Sequence, residues 1–283
     1  MLSGILAEGF GYETGGPLLK PNNQNEKGYY ERSDVVVQNH ELFRAQGIGW
    51  DRNVINYDSE KGLRDITLGK IKFNGGKRAL AFLNNDNQAR ALPYLQKDPR
   101  MCITLPTWLK LLDDEPAVLF TYRHPLEVAL SLKKRDPRGS STIEYGLQLW
   151  IHYNYRAIQN SAGMCRVVTS NHKIMKNPKW EVQRIKNELT NRCNVMPPPI
   201  SVVPKMVIDS FIDPNLQHNG KVLKDISAHC TATAFESDHE VGSPEFKAER
   251  KLFLIAMQMF CDMESGKAFE EGYLWAELLK QLQ

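Results

Sequence analysis

Apolar positions along the chain follow two rhythms, three-and-four spacing and short unbroken runs, and these predict helices alternating with strands. Met1 to Glu8 has a helical pattern that closes at Gly9 and Gly11, and it begins without a cap, as a helix already under way. Residues 12 to 28 are rich in Gly, Pro and Asn and predict a long surface loop. A helix is expected from Ser33, as N-cap, to Ala45. Residues 46 to 76 read as polar and irregular, with weak helical signal at Lys61 to Asp65. A helix at Arg78 to Leu83 precedes a short strand at Leu92 to Gln96, which Pro99 must stop. A further helix is expected at Leu105 to Leu112.

The strongest strand pattern is Ala117 to Tyr122. Arg123-His124-Pro125 ends it, and Pro125 suits the first position of a helix reaching Lys134, because a helix has no use for that N–H. A long helix over Ser141 to Asn160 places Ile143, Leu147, Trp150 and Ile151 on one side. Cys165 to Thr169 reads as a second buried strand, Lys179 to Asn191 as a helix, and Pro197-Pro198-Pro199 as a break. Leu252, Ile255, Ala256, Met259 and Phe260 mark an amphipathic helix, and Tyr273, Leu274, Leu278 and Leu282 a last one. Strands alternating with helices, without hairpin signals, predict an α/β fold with a parallel sheet flanked by helices. No repeat or boundary divides the sequence, so residues 1 to 283 are read as one domain, helical from about residue 205 onward.

Composition adds mainly exclusions. With 42% hydrophobic and 24% charged residues the chain is not a disordered one. Its 36 Lys and Arg against 33 Asp and Glu leave +3, too little to predict a nucleic-acid partner. The apolar runs are too short to span a bilayer, and no signal peptide is visible. The five cysteines are scattered without a C-x-x-C pair, which reads as reduced thiols and a cytoplasmic setting. No His, Cys or carboxylate grouping has metal-ligand spacing, so no metal site is expected. There is no G-x-x-x-x-G-K-S/T loop and no G-x-S-x-G elbow. Gly9 to Gly15 misses the dinucleotide spacing by one residue, and no strand precedes it.

The strand–Arg123-His124-Pro125–helix unit carries more chemistry. It sets a guanidinium at the C-terminal end of a buried strand, beside a helix N-terminus, with Ser131 two turns along. Arg can grip a phosphate bidentately, and a hydroxyl can add one further bond. "YRHPLEVALSL" resembles the R-x-P-x-x-V-x-x-S motif of sulfotransferases. "PNNQNEKGYYE" is similar to the N-x-K-G-Y-W/F-E segment of bacterial-type members, and "QKDPRMCITLPTW" to their K-D-P-R-x-C-x-x-L-P-x-W stretch. "YGLQLWIHYNYRAI", "VVTSNHKIMKNP" and "FIDPNLQHN" resemble later segments, in the same order over roughly residues 1 to 220.

That resemblance implies a P-loop-kinase-like three-layer fold and transfer of a sulfuryl group from 3′-phosphoadenosine 5′-phosphosulfate to a hydroxyl of a small-molecule or glycan acceptor. It implies that Arg123 and Ser131 bind the 3′-phosphate, that Glu26 is the catalytic base with Glu31 in reserve, and that Lys97 contacts the transferred group, with Arg100 in a similar part. Thr169 and Ser170 stand where relatives carry a Tyr or an Asp-rich segment. No metal is implied, since a sulfuryl group carries less charge than a phosphoryl group. In relatives the phosphosulfate-binding loop immediately precedes the first helix. This sequence is therefore expected to be N-terminally truncated, with the first strand and that loop absent and transfer impaired. The alternative expectation is a non-catalytic phosphoadenosine-binding or protein-interaction module.

Overall fold

The computed structural model describes residues 1–22, 25–84, 91–136, 141–212, 230 and 243–273. The chain forms two compact units, Met1–Thr121 with Gly163–Asp213, and Tyr122–Ala162 with Pro214–Gln283.

In the first unit, helix α1 spans Leu2–Gly4 and continues as a π-helical turn over Ile5–Phe10. It stops at Gly11, whose φ of 85° is a left-handed conformation that costs a glycine little. Leu2, Ile5, Leu6 and Phe10 form one core with Val167, with Val182, Ile185 and Leu189, and with Val203, Ile208 and Phe211. The residues at 182, 185 and 189 are a helical stripe on the helix Pro178–Asn191, so the period that predicts this helix also buries it. A second cluster joins Val35 to Phe73, Ala79, Leu83 and Trp108. These come from α2 (Ser33–Arg44), α4 (Asn74–Leu83) with Phe73 just ahead of it, and α5 (Met101–Leu109). Between α2 and α4 lies α3 (Ser59–Thr67).

Two strands, β1 (Val118–Tyr122) and β2 (Arg166–Ser170), pair in parallel, and helices flank them. The chain is thus mixed α/β, as expected, around a small parallel sheet. The expected strand at 92–96 is reduced to one parallel bridge between Glu13 and Tyr94. Glu13 N–H donates to Pro93 O at 2.8 Å, and Leu95 N–H to Glu13 O at 2.6 Å. Pro93 has no N–H of its own, so the ladder cannot extend in that direction. After β2 come α8 (Asn171–Lys176), α9 (Pro178–Asn191) and α10 (Lys205–Phe211).

The second unit contains α6 (Pro125–Arg135), α7 (Ile143–Asn160) and α11 (Pro244–Glu264), packed together. Pro125 takes the first helical turn, as its missing N–H predicts. Helices α6 and α7 approach at Gly146, where a Cβ would lie 2.6 Å from Ala129 Cα; only glycine fits. Leu252, Ile255, Ala256, Met259 and Phe260 of α11 are all buried, as their spacing predicts.

Four expectations are corrected. Ser33 is not the cap of α2: Arg32 holds that position, and the Ser33 hydroxyl donates to Pro17 O at 3.1 Å. Residues 46 to 76 hold a full helix, α3, whose cap Asp58 accepts Lys61 N–H at 3.0 Å. The cysteines are not all reduced thiols, because Cys165 pairs with Cys193 and Cys230 with Cys261, and only Cys102 stays outside a disulfide. Chain return produces the first pair: α9 runs back along β2 and leaves Cys193 beside the residue that precedes the strand. Spacing along the sequence cannot show that. Finally, α5 begins at Met101, four residues before its expected start, because Arg100 already has helical backbone. The expected last helix, and most of "FIDPNLQHN", lie outside the described residues.

Candidate functional site

The residues singled out by sequence fall into two groups, one in each unit. In the first unit the loop Lys97-Asp98-Pro99-Arg100 leads into α5. Asp98 has a fully buried side chain and anchors that loop. Its Oδ1 accepts from Arg100 N–H at 2.9 Å and from the Arg100 guanidinium at 2.8 Å. Its Oδ2 accepts from Asn39 Nδ2 at 2.9 Å. Asn39 Oδ1 in turn accepts from Thr104 Oγ1 at 2.9 Å and Trp108 Nε1 at 2.8 Å. A buried carboxylate needs this many donors to offset lost hydration.

Lys97 pairs with Glu31 rather than with Asp98. Glu31 is buried, and its other carboxylate oxygen lies 3.8 Å from Arg100 Nη1. The Lys97 side chain keeps 34% of its exposure, so part of the ammonium faces outward. The start of α1 lies in the same neighbourhood. The amino group of Met1 is held below its ordinary value, by burial first and by the Lys97 charge second. His40 is also lowered, by burial and then by Arg100. Cys102, next to the loop, has its thiol pushed up to about 12 by burial, with Asp98 adding to the effect.

Glu26 stands elsewhere in its segment. It is exposed on the turn between Asn25 and Gly28, and among the described residues its side chain makes no hydrogen bond or ion pair. The structure therefore brings Lys97 to Glu31, the reserve base, and not to Glu26. Tyr30 sits between the two segments' roles. Its backbone is left-handed, with φ of 55°, its hydroxyl donates to Glu8, and its ring meets Phe211 edge-on at 5.9 Å.

In the second unit Arg123 follows β1 directly and is exposed, with one Nη 3.3 Å from Glu127 Oε2. Ser131 is one more turn along α6 and half-buried, so Arg123, Glu127 and Ser131 succeed one another at four-residue steps. The backbone under Arg123 is fixed from both sides. Trp150 Nε1 donates to Arg123 O at 2.9 Å, and the rings of Tyr122 and His124 both meet Phe260 edge-on, at 5.9 and 5.0 Å. The chain that carries the guanidinium is thus held, while the guanidinium itself lies at the surface beside Glu127.

No protein-family model, curated protein or solved structure matches the chain.

Thr169 and Ser170 are committed to structure. Thr169 Oγ1 donates to Glu181 Oε1 at 2.6 Å, and Ser170 caps α8 by accepting Lys173 N–H. Among the described residues no group of three or more His, Cys, Asp or Glu is gathered to hold a metal ion, and no helix is long and apolar enough to cross a membrane. Sequence reasoning missed Trp150 as the partner of Arg123, Asn39 as the hub behind Asp98, and Glu31 as the partner of Lys97. Only Asn39 carries a local signal. It falls in the apolar stripe Val35, Val36, Leu42 and Phe43 of α2, where a polar residue must have buried partners.

Proposed function

We propose that the chain is a sulfotransferase-type domain that binds 3′-phosphoadenosine 5′-phosphosulfate and serves transfer of its sulfuryl group to a hydroxyl of a small-molecule or glycan acceptor. The observation that carries this reading is the Arg123 turn. A guanidinium projects from the C-terminal end of a parallel strand at the head of a Pro-started helix, with Ser131 eight residues on and a tryptophan N–H fixing the backbone beneath. Such a turn suits a dianionic phosphate, because the arginine fork, the helix N-terminus and the hydroxyl all favour negative charge. The ordered resemblance of the surrounding motifs to sulfotransferases names the nucleotide, and with it the P-loop-kinase-like arrangement of layers.

In this reading Arg123 and Ser131 take the 3′-phosphate. The acceptor oxygen attacks sulfur in line as its proton passes to a carboxylate, for which Glu26, exposed on its turn, is the proposed base. The bond from sulfur to the phosphate oxygen breaks, and 3′-phosphoadenosine 5′-phosphate leaves with the electron pair. Lys97 stabilises the charge that grows on the bridging oxygen. No metal takes part in this scheme. The two disulfides support a working compartment that keeps thiols oxidised, whereas the cytoplasmic expectation rested on reduced cysteines.

A second reading is nucleotide binding without transfer, which the Arg123 turn, the start of α6 and the Ser131 hydroxyl would serve equally well. Calorimetry with 3′-phosphoadenosine 5′-phosphate tests what both readings share. Binding is expected, and Arg123→Ala should weaken it by about 1.5–3 kcal/mol, the range for hydrogen bonds to a charged group. Undiminished affinity in the variant rejects the assignment. Transfer of labelled sulfate to a panel of sugar and phenolic hydroxyls then separates the enzyme from the binding module.

A further inference from the structure

We infer that Glu31 is a positioning residue: it anchors the ammonium of Lys97 so that the remaining N–H groups face an incoming sulfuryl oxygen. The inference rests on the sulfotransferase reading, and it changes the part Glu31 plays there, from reserve base to anchor. Three observations converge on it. Glu31 is buried, yet each of its carboxylate oxygens faces a cation, Lys97 on one side and Arg100 on the other. A carboxylate engaged on both oxygens serves to hold charge in place rather than to collect a proton from a hydroxyl.

The two cations are not equally free. Arg100 is tied to Asp98 through two bonds, and Asp98 is tied in turn to Asn39, so Arg100 is a fixed wall behind Glu31. Lys97 is half-exposed, and an ammonium has three N–H donors. One is spent on Glu31, and the others are available on the open side. A flexible four-carbon stem would otherwise leave that charge spread over many rotamers.

The backbone that delivers Glu31 is strained. Tyr30, immediately before it, is a bulky residue in the left-handed region, where side chains crowd the following carbonyl. It is kept there by its hydroxyl bond to Glu8 and its contact with Phe211. Gly4 makes room for it: a Cβ there would lie 2.3 Å from Phe211 and 2.9 Å from Tyr30. A conformation this costly, over-determined by neighbours that include α1, points to a geometric demand on the next residue. That residue is Glu31.

The test has a ligand-free arm and a ligand arm. In protein with ¹⁵N-labelled lysines, the Lys97 ammonium, assigned by its loss in Lys97→Arg, should show slowed exchange in the intact chain. Glu31→Gln should move it among the solvent-exposed lysines, Glu31→Asp should restore part of the protection, and Arg123→Ala should leave it unchanged. A Lys97 signal that already exchanges like the other lysines overturns the inference. In the ligand arm, calorimetry compares 3′-phosphoadenosine 5′-phosphosulfate with 3′-phosphoadenosine 5′-phosphate. Glu31→Gln and Lys97→Met should each cut the preference for the sulfated nucleotide about tenfold, and the double variant no further. A Glu31→Gln protein that melts earlier but keeps the full preference makes the pair merely structural and overturns the inference. Should the intact chain bind neither nucleotide, the sulfotransferase reading fails, and the exchange arm alone decides whether Glu31 positions Lys97. Should Glu31→Gln not fold, Glu31→Asp and Lys97→Met carry the same comparison.

Discussion

The indole N–H of Trp150 donates to the carbonyl of Arg123, 27 residues earlier, at 2.9 Å. That carbonyl lies where β1 has ended and α6 has not begun, so neither element offers it a partner. The indole supplies one from the middle of α7. Trp150→Phe keeps the apolar surface and removes only the donor. It should cost about 0.5–1.5 kcal/mol of stability, the usual net value of a hydrogen bond. If the Arg123 turn is the phosphate site, affinity for 3′-phosphoadenosine 5′-phosphate should fall with it. Thermal unfolding and calorimetry on the one variant measure both, and wild-type affinity would separate Trp150 from the site.

Asn39 is a second such donor and acceptor, with three buried partners in Asp98, Thr104 and Trp108. Asn39→Ala leaves the Trp108 N–H and one oxygen of a buried carboxylate unmatched, and each orphaned group carries its own desolvation penalty. The expected loss is about 2–4 kcal/mol. Denaturant unfolding should show the midpoint falling with an unchanged slope. A loss within about 0.5 kcal/mol, the level of an ordinary surface change, would mean that solvent reaches the network.

Much of this architecture was legible because it is local. Pro125 fixes the start of α6, a three-and-four stripe builds α9 and α11, an apolar run marks β1, and the β-branched Val167-Val168-Thr169 marks β2. Helix α3 showed only as a weak signal at Lys61 to Asp65 because it buries Gly62 and Asp65 rather than an apolar stripe, so its period is hidden in polar letters. The sites were legible only as separate residues. Lys97 and Glu31 lie 66 positions apart, and nothing in either segment says that one neutralises the other. The same holds for Cys165 and Cys193, where the intervening strand and two helices decide the meeting. Motif order found Lys97, Glu31 and Arg123 one by one; which of them meet needed the fold.

The Cys165–Cys193 bond pins the second residue past α9 to the residue before β2 and closes a sequence separation of 28. Chain-entropy reasoning puts the value of such a loop at ~3.5 kcal/mol. Cys193→Ser should lower stability by about that amount. Protein denatured without reductant should titrate a single thiol, that of Cys102. Five titratable thiols would restore the reading of reduced cysteines.

The acid side of the stability profile should be shaped by Glu181. This residue is buried in α9, and burial alone would raise its carboxyl. The Arg184 and Thr169 hydrogen bonds outweigh burial and hold it below its ordinary value. Arg184 is raised correspondingly, by its bond to Glu181 first. Because the unfolded chain binds this proton more readily than the folded one, Glu181 stabilises the fold above the ordinary carboxylate range. That contribution is lost as pH falls through the ordinary value toward the lower folded one. Glu181→Gln keeps the shape and removes the titration. At neutral pH it should cost about 1.5–3 kcal/mol, as for a hydrogen bond to a charged group. Below about pH 4 the gap between the two proteins should close, since protonated Glu181 has lost the same charge. Urea midpoints for both proteins between about pH 3 and pH 7 measure this convergence. Parallel curves across that range would show that the Glu181–Arg184 pair does not carry the acid sensitivity.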